Sequence, residues 1–331
     1  MEINDRVYGK ITINEPVLIE LINSKPIQRL KGINQAGASQ YVIKGKTVTR
    51  YEHSLGVMIL LKKLGATIEE QIAGLLHDIP HTAFSHVIDF VFKKHQHNHD
   101  FHEKFHEKII LQSEIPQILE KFGFDINNII DENNFPLLEK ELPDLCADRI
   151  DYTLRDITAS YGFSKKMNDY ISSFIIHNNE IIINNEQIAK MFAEDYLKTD
   201  QEKWSHPLEV ALFQILADAI RIALDEKIII EKDLFEDDLF VYTKLKESKN
   251  QQILEKLKMI NPNLKIIDDP NDFDFHSRNK LRYINPKYLN PDKSINRVAD
   301  KFKDFADKLA KHKEWVKKGN FVKIVSYWKR T

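Results

Sequence analysis

Apolar positions recur at three- and four-residue spacings along most of the chain, a period that predicts helices. Between Glu52 and Leu64 they fall at Leu55, Met58, Ile59 and Leu61, and Gly65 supplies a stop. Thr67 is placed to cap the next helix. Glu69 and Glu70 sit in its first turn, and Ile72, Leu75 and Leu76 lead into His77-Asp78. Phe84–Lys93 and Phe101–Leu111 read as two further helices on either side of a polar loop holding His95, His97 and His99. Leu138–Ser160 reads as one helix that carries several aspartates after Pro143. Pro207–Leu224 is apolar around much of its circumference, which predicts a buried helix. Phe174–Ile183 has β-branched runs around Asn178-Asn179 and predicts a short hairpin. Lys227–Ile230 and Phe321–Val325 read as short strands. The expected fold is mainly α, a helical bundle with a helical C-terminal extension and a few short strands. A change of style near residue 165 divides a core, 1–165, from a mainly helical region, 166–331, packed on it.

Composition narrows the classes. The chain has 331 residues, 42% apolar and 30% charged, ordinary values for a globular protein with ample core. A net charge of −2 gives no basic field for nucleic acid. The lysine-rich end (Lys308, Lys311, Lys313, Lys317, Lys318, Lys323, Lys329, Arg330) is interspersed with Asp304, Asp307 and Glu314 and reads as a solvated face. Cys146 is the single cysteine, which excludes an intramolecular disulfide and a cysteine-rich zinc site. Its apolar surroundings, Leu142 to Ala147, point to a buried structural thiol. The polar opening Met1-Glu-Ile-Asn-Asp-Arg is unlike a secretory leader, and no apolar run approaches the ~20 residues that span a bilayer. A cytoplasmic protein without a membrane partner is expected.

The candidate chemistry lies in His53, the adjacent His77-Asp78 and the distant Asp148. Two imidazoles and two carboxylates suit Mn, Fe, Ni, Co or Zn. With thirteen histidines in the chain, a His-Asp dipeptide alone carries little weight. Its position carries more, because the apolar run Ile72–Leu76 delivers both side chains to the inner end of a helix. An uncompensated buried carboxylate costs several kcal/mol, so Asp78 needs either a cation or a set of donors.

Five ordered segments add to this. They are Gln28-Arg-Leu-Lys-Gly-Ile-Asn-Gln35-Ala-Gly37, Arg50-Tyr-Glu-His53-Ser-Leu-Gly56-Val57 and His77-Asp78-Ile-Pro-His81-Thr-Ala-Phe-Ser-His86. His102-Glu103 with Ile109-Ile110, and Ala147-Asp148-Arg149-Ile150-Asp151-Tyr152 with Arg155-Asp156, complete the set. Over roughly residues 25–165 the chain resembles the HD-domain metal-dependent phosphohydrolases. Within them it is most similar to the branch with deoxynucleoside triphosphate triphosphohydrolases. The resemblance implies a metal held by His53, His77, Asp78 and Asp148, with Mg as an accompanying ion to be tested. It implies His81, His86 and His102 near the phosphates and scissile bond, with His106, one turn on, able to substitute for His102. It further implies Arg50, Arg149 and Tyr152 as phosphate contacts and Gln35 and Asp156 at a nucleotide's sugar. Asp151 is expected to pair with Arg155 at i+4 rather than to bind metal.

The expected activity is metal-dependent hydrolysis of a phosphoester, with (deoxy)nucleoside triphosphates cleaved to nucleoside and triphosphate. A homodimer acting on a small nucleotide is the expected assembly. Ala36 replaces a bulky residue of that branch and Pro80 a glycine-containing turn, so sugar discrimination is expected to differ. His81-Thr82 stands where guanosine tetraphosphate hydrolases carry an acidic pair, and the Gly-Tyr-Pro signature of cyclic-dinucleotide phosphodiesterases is absent. A phosphomonoesterase or phosphodiesterase on another small phosphoester and a non-catalytic, metal-stabilised binding protein stay open as alternatives.

Overall fold

The computed structural model describes residues 1–92, 102–277 and 280–327, with the side chains of residues 102, 103 and 132 left out. Among the described residues there are sixteen α-helices and nine short strands, a mainly α fold. Thr49 opens the Arg50–Leu64 helix through a capping box: its hydroxyl accepts from Glu52 N, and Glu52 accepts from Thr49 N. Gly65 closes that helix in the left-handed region at φ 78°, where an L side chain would be strained. Thr67 caps Ile68–Leu76 as expected. The buried Pro207–Asp225 helix, the Asn320–Ser326 strand and the hairpin through Asn178 and Asn179 also match their sequence signals.

Four elements differ from the periodicity. The helix expected from Leu138 starts only at Ala147: Pro143 lacks a backbone donor, and Leu145 instead forms a bridge with Ile181. The one expected over Phe84–Lys93 shrinks to Val87–Val91, because Phe84 and Ser85 turn left-handed at φ 62° and 51°; Lys93 lies outside the described residues. His102–Phe105 is a 3-10 turn leading into the His106–Leu111 helix, and Phe101, His95, His97 and His99 lie outside the described residues. Lys227–Ile230 forms no strand, since the amides of Ile228 and Ile229 both turn back to Ala223 O and close the preceding helix.

Three small sheets trim the helices. Glu2–Asp5 pairs antiparallel with Gly9–Thr12. A four-stranded sheet runs Phe174–His177, Glu180–Ile183, Lys287–Leu289, Ile295–Arg297, with its central pair parallel. Asn320–Ser326 lies between Lys265–Asp268 and Phe275–Ser277. One core gathers apolar side chains from Val7 to Leu309, drawn from both sides of residue 165, and Cys146 is fully buried next to it. A second gathers Ala83–Val91 with the Pro207–Asp225 helix and the helices after it. No helix among the described residues is long and apolar enough to cross a membrane. Lys329 and Arg330 lie outside the described residues.

Candidate metal centre and its cavity

Three helices bring the four expected ligands together. His53 lies in the first turn of Arg50–Leu64, His77 and Asp78 follow Ile68–Leu76, and Asp148 lies in the first turn of Ala147–Tyr161. Arg29 fixes the turn through Pro80 by donating to the carbonyls of Ile79 (2.6 Å) and His81 (2.8 Å). Nε2 of His53 is 2.9 Å from Asp148 Oδ1 and 3.8 Å from Asp78 Oδ2. Nε2 of His77 is 3.5 Å from Asp78 Oδ1 and 3.6 Å from Asp148 Oδ1.

The tautomers decide what this cluster can hold. Nδ1 of His77 is 2.8 Å from Gly74 O, and a carbonyl only accepts, so Nδ1 carries the hydrogen. In the neutral ring Nε2 is then a lone pair, buried without a hydrogen-bond partner and facing two carboxylates, which favour a proton or a cation at that point and raise the His77 pKa against burial. Nδ1 of His53 likewise meets the carboxylate of Asp151 at 2.8 Å, which leaves its Nε2 for the same space. Lone pairs and carboxylates converging on one point require a positive charge between them, and the donor set fits a divalent transition metal. The same demand appears in the acid–base behaviour. Burial opposes a charged His53, yet its bonds to Asp148 and Asp151 and the nearby Asp78 raise its pKa to about 10. Burial alone would raise Asp78, but Arg50 and the neighbouring imidazoles hold it well below the usual carboxylate range. Asp148 is likewise lowered against burial, by His53 and His77.

Beside the cluster lies a cavity of about 580 Å³, within the range that takes a small-molecule ligand. Arg50 reaches Asp78 Oδ2 at 2.9 Å and Ser85 Oγ at 3.0 Å, so its charge sits at the cluster's edge. His81 Nε2 is 3.2 Å from Asp78 Oδ1, and burial together with the Arg50 charge lowers its pKa to about 4. The His86 ring stands edge-on to His81, and its Nδ1 meets the fully buried Asp89 at 3.0 Å. Gln35 lines the cavity with Oε1 buried and unbonded. Tyr152 bonds Tyr196 through the hydroxyls (2.5 Å), and Trp204 Nε1 donates to Asp156 Oδ2 (2.5 Å). Arg149 also lines the cavity, but its donors go to Asp144 O, Lys140 O, Cys146 and Glu139 Oε1. The side chain of His102 lies outside the described residues. His106 lines the cavity, with Nε2 buried and unbonded and a pKa lowered to about 4 by burial and the His77 charge.

Residues 50–156 match the HD domain family. The chain is 42% identical over 330 residues to the uncharacterized protein YdhJ of Bacillus subtilis, covering 98% of this chain and 99% of that one. To the metal-dependent phosphohydrolase cns2 of Cordyceps militaris it is 33% identical over 259 residues, 76% of this chain and 74% of the relative. The chain belongs to the HD-domain metal-dependent phosphohydrolases. A shorter likeness, 34% over 142 residues, joins it to the mouse deoxynucleoside triphosphate triphosphohydrolase SAMHD1, spanning 36% of this chain and 21% of that one. The fold is shared with a hypothetical protein from Aquifex aeolicus, at TM-score 0.69 and 21% identity over 92% of this chain and 93% of that one. A Bacteroides thetaiotaomicron phosphohydrolase gives 0.68 and 21%, over 91% and 94%.

Beyond the four candidate ligands, further side chains meet the cluster or line the cavity. Asp151 does form the expected pair with Arg155, twice at 2.9 Å, and also orients His53. Arg155 in turn reaches Asp5 at 2.9 Å. A Cβ at Gly56 would overlap both Arg155 Nη2 and Asp151 Oδ1, which accounts for glycine inside that helix. Asp89 lies three residues after His86, a spacing that signals the pair locally. Lys46 and Glu209 also line the cavity, and no local signal joins them.

Proposed function

We propose that this HD phosphohydrolase hydrolyses a phosphoester bond of a small nucleotide, with (deoxy)nucleoside triphosphates giving nucleoside and triphosphate as the leading form. The observation that carries it is the orphaned Nε2 of His77 among Asp78, Asp148 and His53, on the wall of a cavity that also holds His81, His86 and Arg50. The named activity of SAMHD1 supports the triphosphate form, and that of cns2 supports phosphohydrolysis more broadly.

A divalent ion held by His53, His77, Asp78 and Asp148 would supply Lewis-acid polarisation of phosphate oxygen and water. Asp151 holds the hydrogen on His53 Nδ1 and so keeps Nε2 available. Arg50, anchored on Asp78 and Ser85, places a guanidinium beside the phosphate. Asp89 holds His86 Nδ1 and so orients the imidazole that exchanges a proton with the nucleophile or leaving oxygen. Gln35 and Asp156 offer acceptors to sugar hydroxyls, and Tyr152, edge-on to Trp204 on the same wall, is the phosphate neighbour.

One observation favours the phosphomonoesterase reading: Arg149 is committed to the 139–146 segment, which leaves one cation fewer for a triphosphate chain. Product analysis separates the two. Metal-stripped protein, resupplied in turn with Mn, Mg, Fe, Co and Ni, is offered nucleoside mono- and triphosphates. Inorganic triphosphate released from deoxynucleotides, and lost in Asp148→Ala, supports the leading form. Orthophosphate from monophosphates moves the protein to the second reading. No product with any metal overturns both.

A further inference from the structure

The cavity holds a second polar cluster, bonded to none of the four metal-ligand candidates. Lys46 Nζ lies 3.2 Å from Glu209 Oε1, with the two side chains only 8% and 5% exposed. The other carboxylate oxygen, Glu209 Oε2, is buried without a well-formed hydrogen bond; Ser39, whose Oγ is also without one, lies near enough to favour the ionised carboxylate, and Gln35 Oε1 is likewise unbonded. A buried ion pair seldom stabilises a fold more than apolar packing would, and a spare carboxylate oxygen adds cost. At 3.2 Å the contact is also longer than a well-formed ammonium–carboxylate bond, so donors on Lys46 and an acceptor on Glu209 are left for a third party. Both residues line the cavity, and so the third party is its occupant.

The flanking surface is apolar. Val210 and Phe213 line the same cavity from the helix that carries Glu209, and Phe213, at i+4, stands one turn above it on the same face. Phe90 meets the Phe213 ring edge-on at 5.7 Å and lines the cavity too. A free carboxylate oxygen and an ammonium side by side, next to aromatic surface, match a planar heterocycle that presents an N–H beside an acceptor atom.

We propose that Lys46 and Glu209 read the hydrogen-bonding edge of a nucleobase, Glu209 Oε2 accepting its N–H and Lys46 Nζ donating to the adjacent oxygen or ring nitrogen. This makes the substrate a nucleotide rather than a sugar phosphate or an aryl phosphate, and it rests on the phosphohydrolase reading of the same cavity. Lys46 is held in place by its backbone, whose carbonyl accepts from Asn34 Nδ2 at 3.0 Å, in the segment that also presents Gln35.

The test separates recognition from turnover. Binding of adenosine, guanosine, cytidine, uridine and ribose to the full chain is measured by calorimetry, which needs no hydrolysis. The kcat/KM for the preferred nucleotide is compared with that for ribose 5-phosphate. The wild type is expected to bind at least one nucleoside and not ribose. Glu209→Gln is expected to weaken that binding at least tenfold and to cut the nucleotide-over-ribose-5-phosphate preference by a similar factor. Thermal melting checks folding. Where Glu209→Gln does not fold, Lys46→Met/Glu209→Met, which removes both charges together, carries the same expectation. Binding of none of the four nucleosides by the wild type, equal binding of ribose, or full nucleoside affinity in the folded variants would overturn the assignment. Phosphoester turnover without nucleoside binding would leave the phosphohydrolase reading standing and remove this one.

Discussion

Asp151→Asn tests the architecture beneath the metal centre. Asp151 is fully buried and accepts three hydrogen bonds, from His53 Nδ1 at 2.8 Å and from Nε and Nη2 of Arg155 at 2.9 Å each. An asparagine keeps the shape but removes the charge, and turns an amide donor toward groups that themselves donate. Removing one partner of a buried ion pair costs about 3–5 kcal/mol. Asp5, 2.9 Å from Arg155 Nη1, compensates the guanidinium in part, which places the expectation at the lower end, about 3 kcal/mol. For a chain of 331 residues the unfolding entropy is about 0.7 kcal/mol per kelvin, so Tm should fall by about 4 °C. A second effect is separate from stability. With His53 no longer held by a carboxylate, metal affinity should fall about 10–100-fold. Scanning calorimetry of metal-free protein reads the first effect, and competition with a chelator reads the second. Asp5→Asn is the control: it takes the other carboxylate from Arg155 and should lower Tm without touching metal affinity. A Tm within 1 °C of wild type together with unchanged metal affinity in Asp151→Asn would refute the reasoning.

Three further outcomes are expected. Gly56→Ala should cost about 1–3 kcal/mol or more, because its methyl meets Arg155 Nη2 and Asp151 Oδ1 rather than open space; a thermal melt equal to wild type would contradict the overlap. Asp89→Asn should lower kcat about 10–100-fold with little change in KM, since it loosens the His86 proton and not the substrate; steady-state kinetics with a KM rise instead would count against a positioning role. Burial raises the Asp238 pKa to about 6, despite bonds from the Phe84 and Asn34 amides and Gln40. The folded state then holds that proton more tightly than the unfolded chain. From pH 4 to 6 the wild type should lose about 2 kcal/mol of stability relative to Asp238→Asn, read from denaturant melts; a flat difference would sink this assignment.

Much of the scaffold was legible because its signals are local. Thr49 with Glu52, Gly65, and Thr67 before two glutamates mark helix ends within a few residues, and those ends place His53, His77 and Asp78. The ordered segments gave the candidate ligands and the HD resemblance on which the family assignment then agreed. The misreadings arose where distant partners override periodicity. Phe84 and Ser85 look helical but are pulled into the left-handed region by contacts to Asp238, 154 residues away, and to Asn34. Leu138–Cys146 looks continuous with the following helix, yet Arg149 folds back onto its carbonyls and Leu145 bridges to Ile181. The Asp5–Arg155 pair spans 150 residues and Lys46–Glu209 spans 163, separations at which spacing in the chain carries no information.

The charges around the centre add a reason of their own for the metal. Asp5, Arg155, Asp151, His53 and Asp148 form one continuous chain of buried contacts, and Asp78 with Arg50 joins it through His53. Four carboxylates face two guanidiniums. The remaining negative charge falls on His53 and His77, whose ring nitrogens can meet it either by taking protons, as the raised pKa values of both show, or by holding one divalent ion together with Asp78 and Asp148. Arg155 and Arg50 neutralise the flanks and leave the middle negative. A purely structural salt-bridge network would have no reason to gather its deficit around two imidazoles whose Nε2 atoms both face carboxylates, on the wall of a cavity.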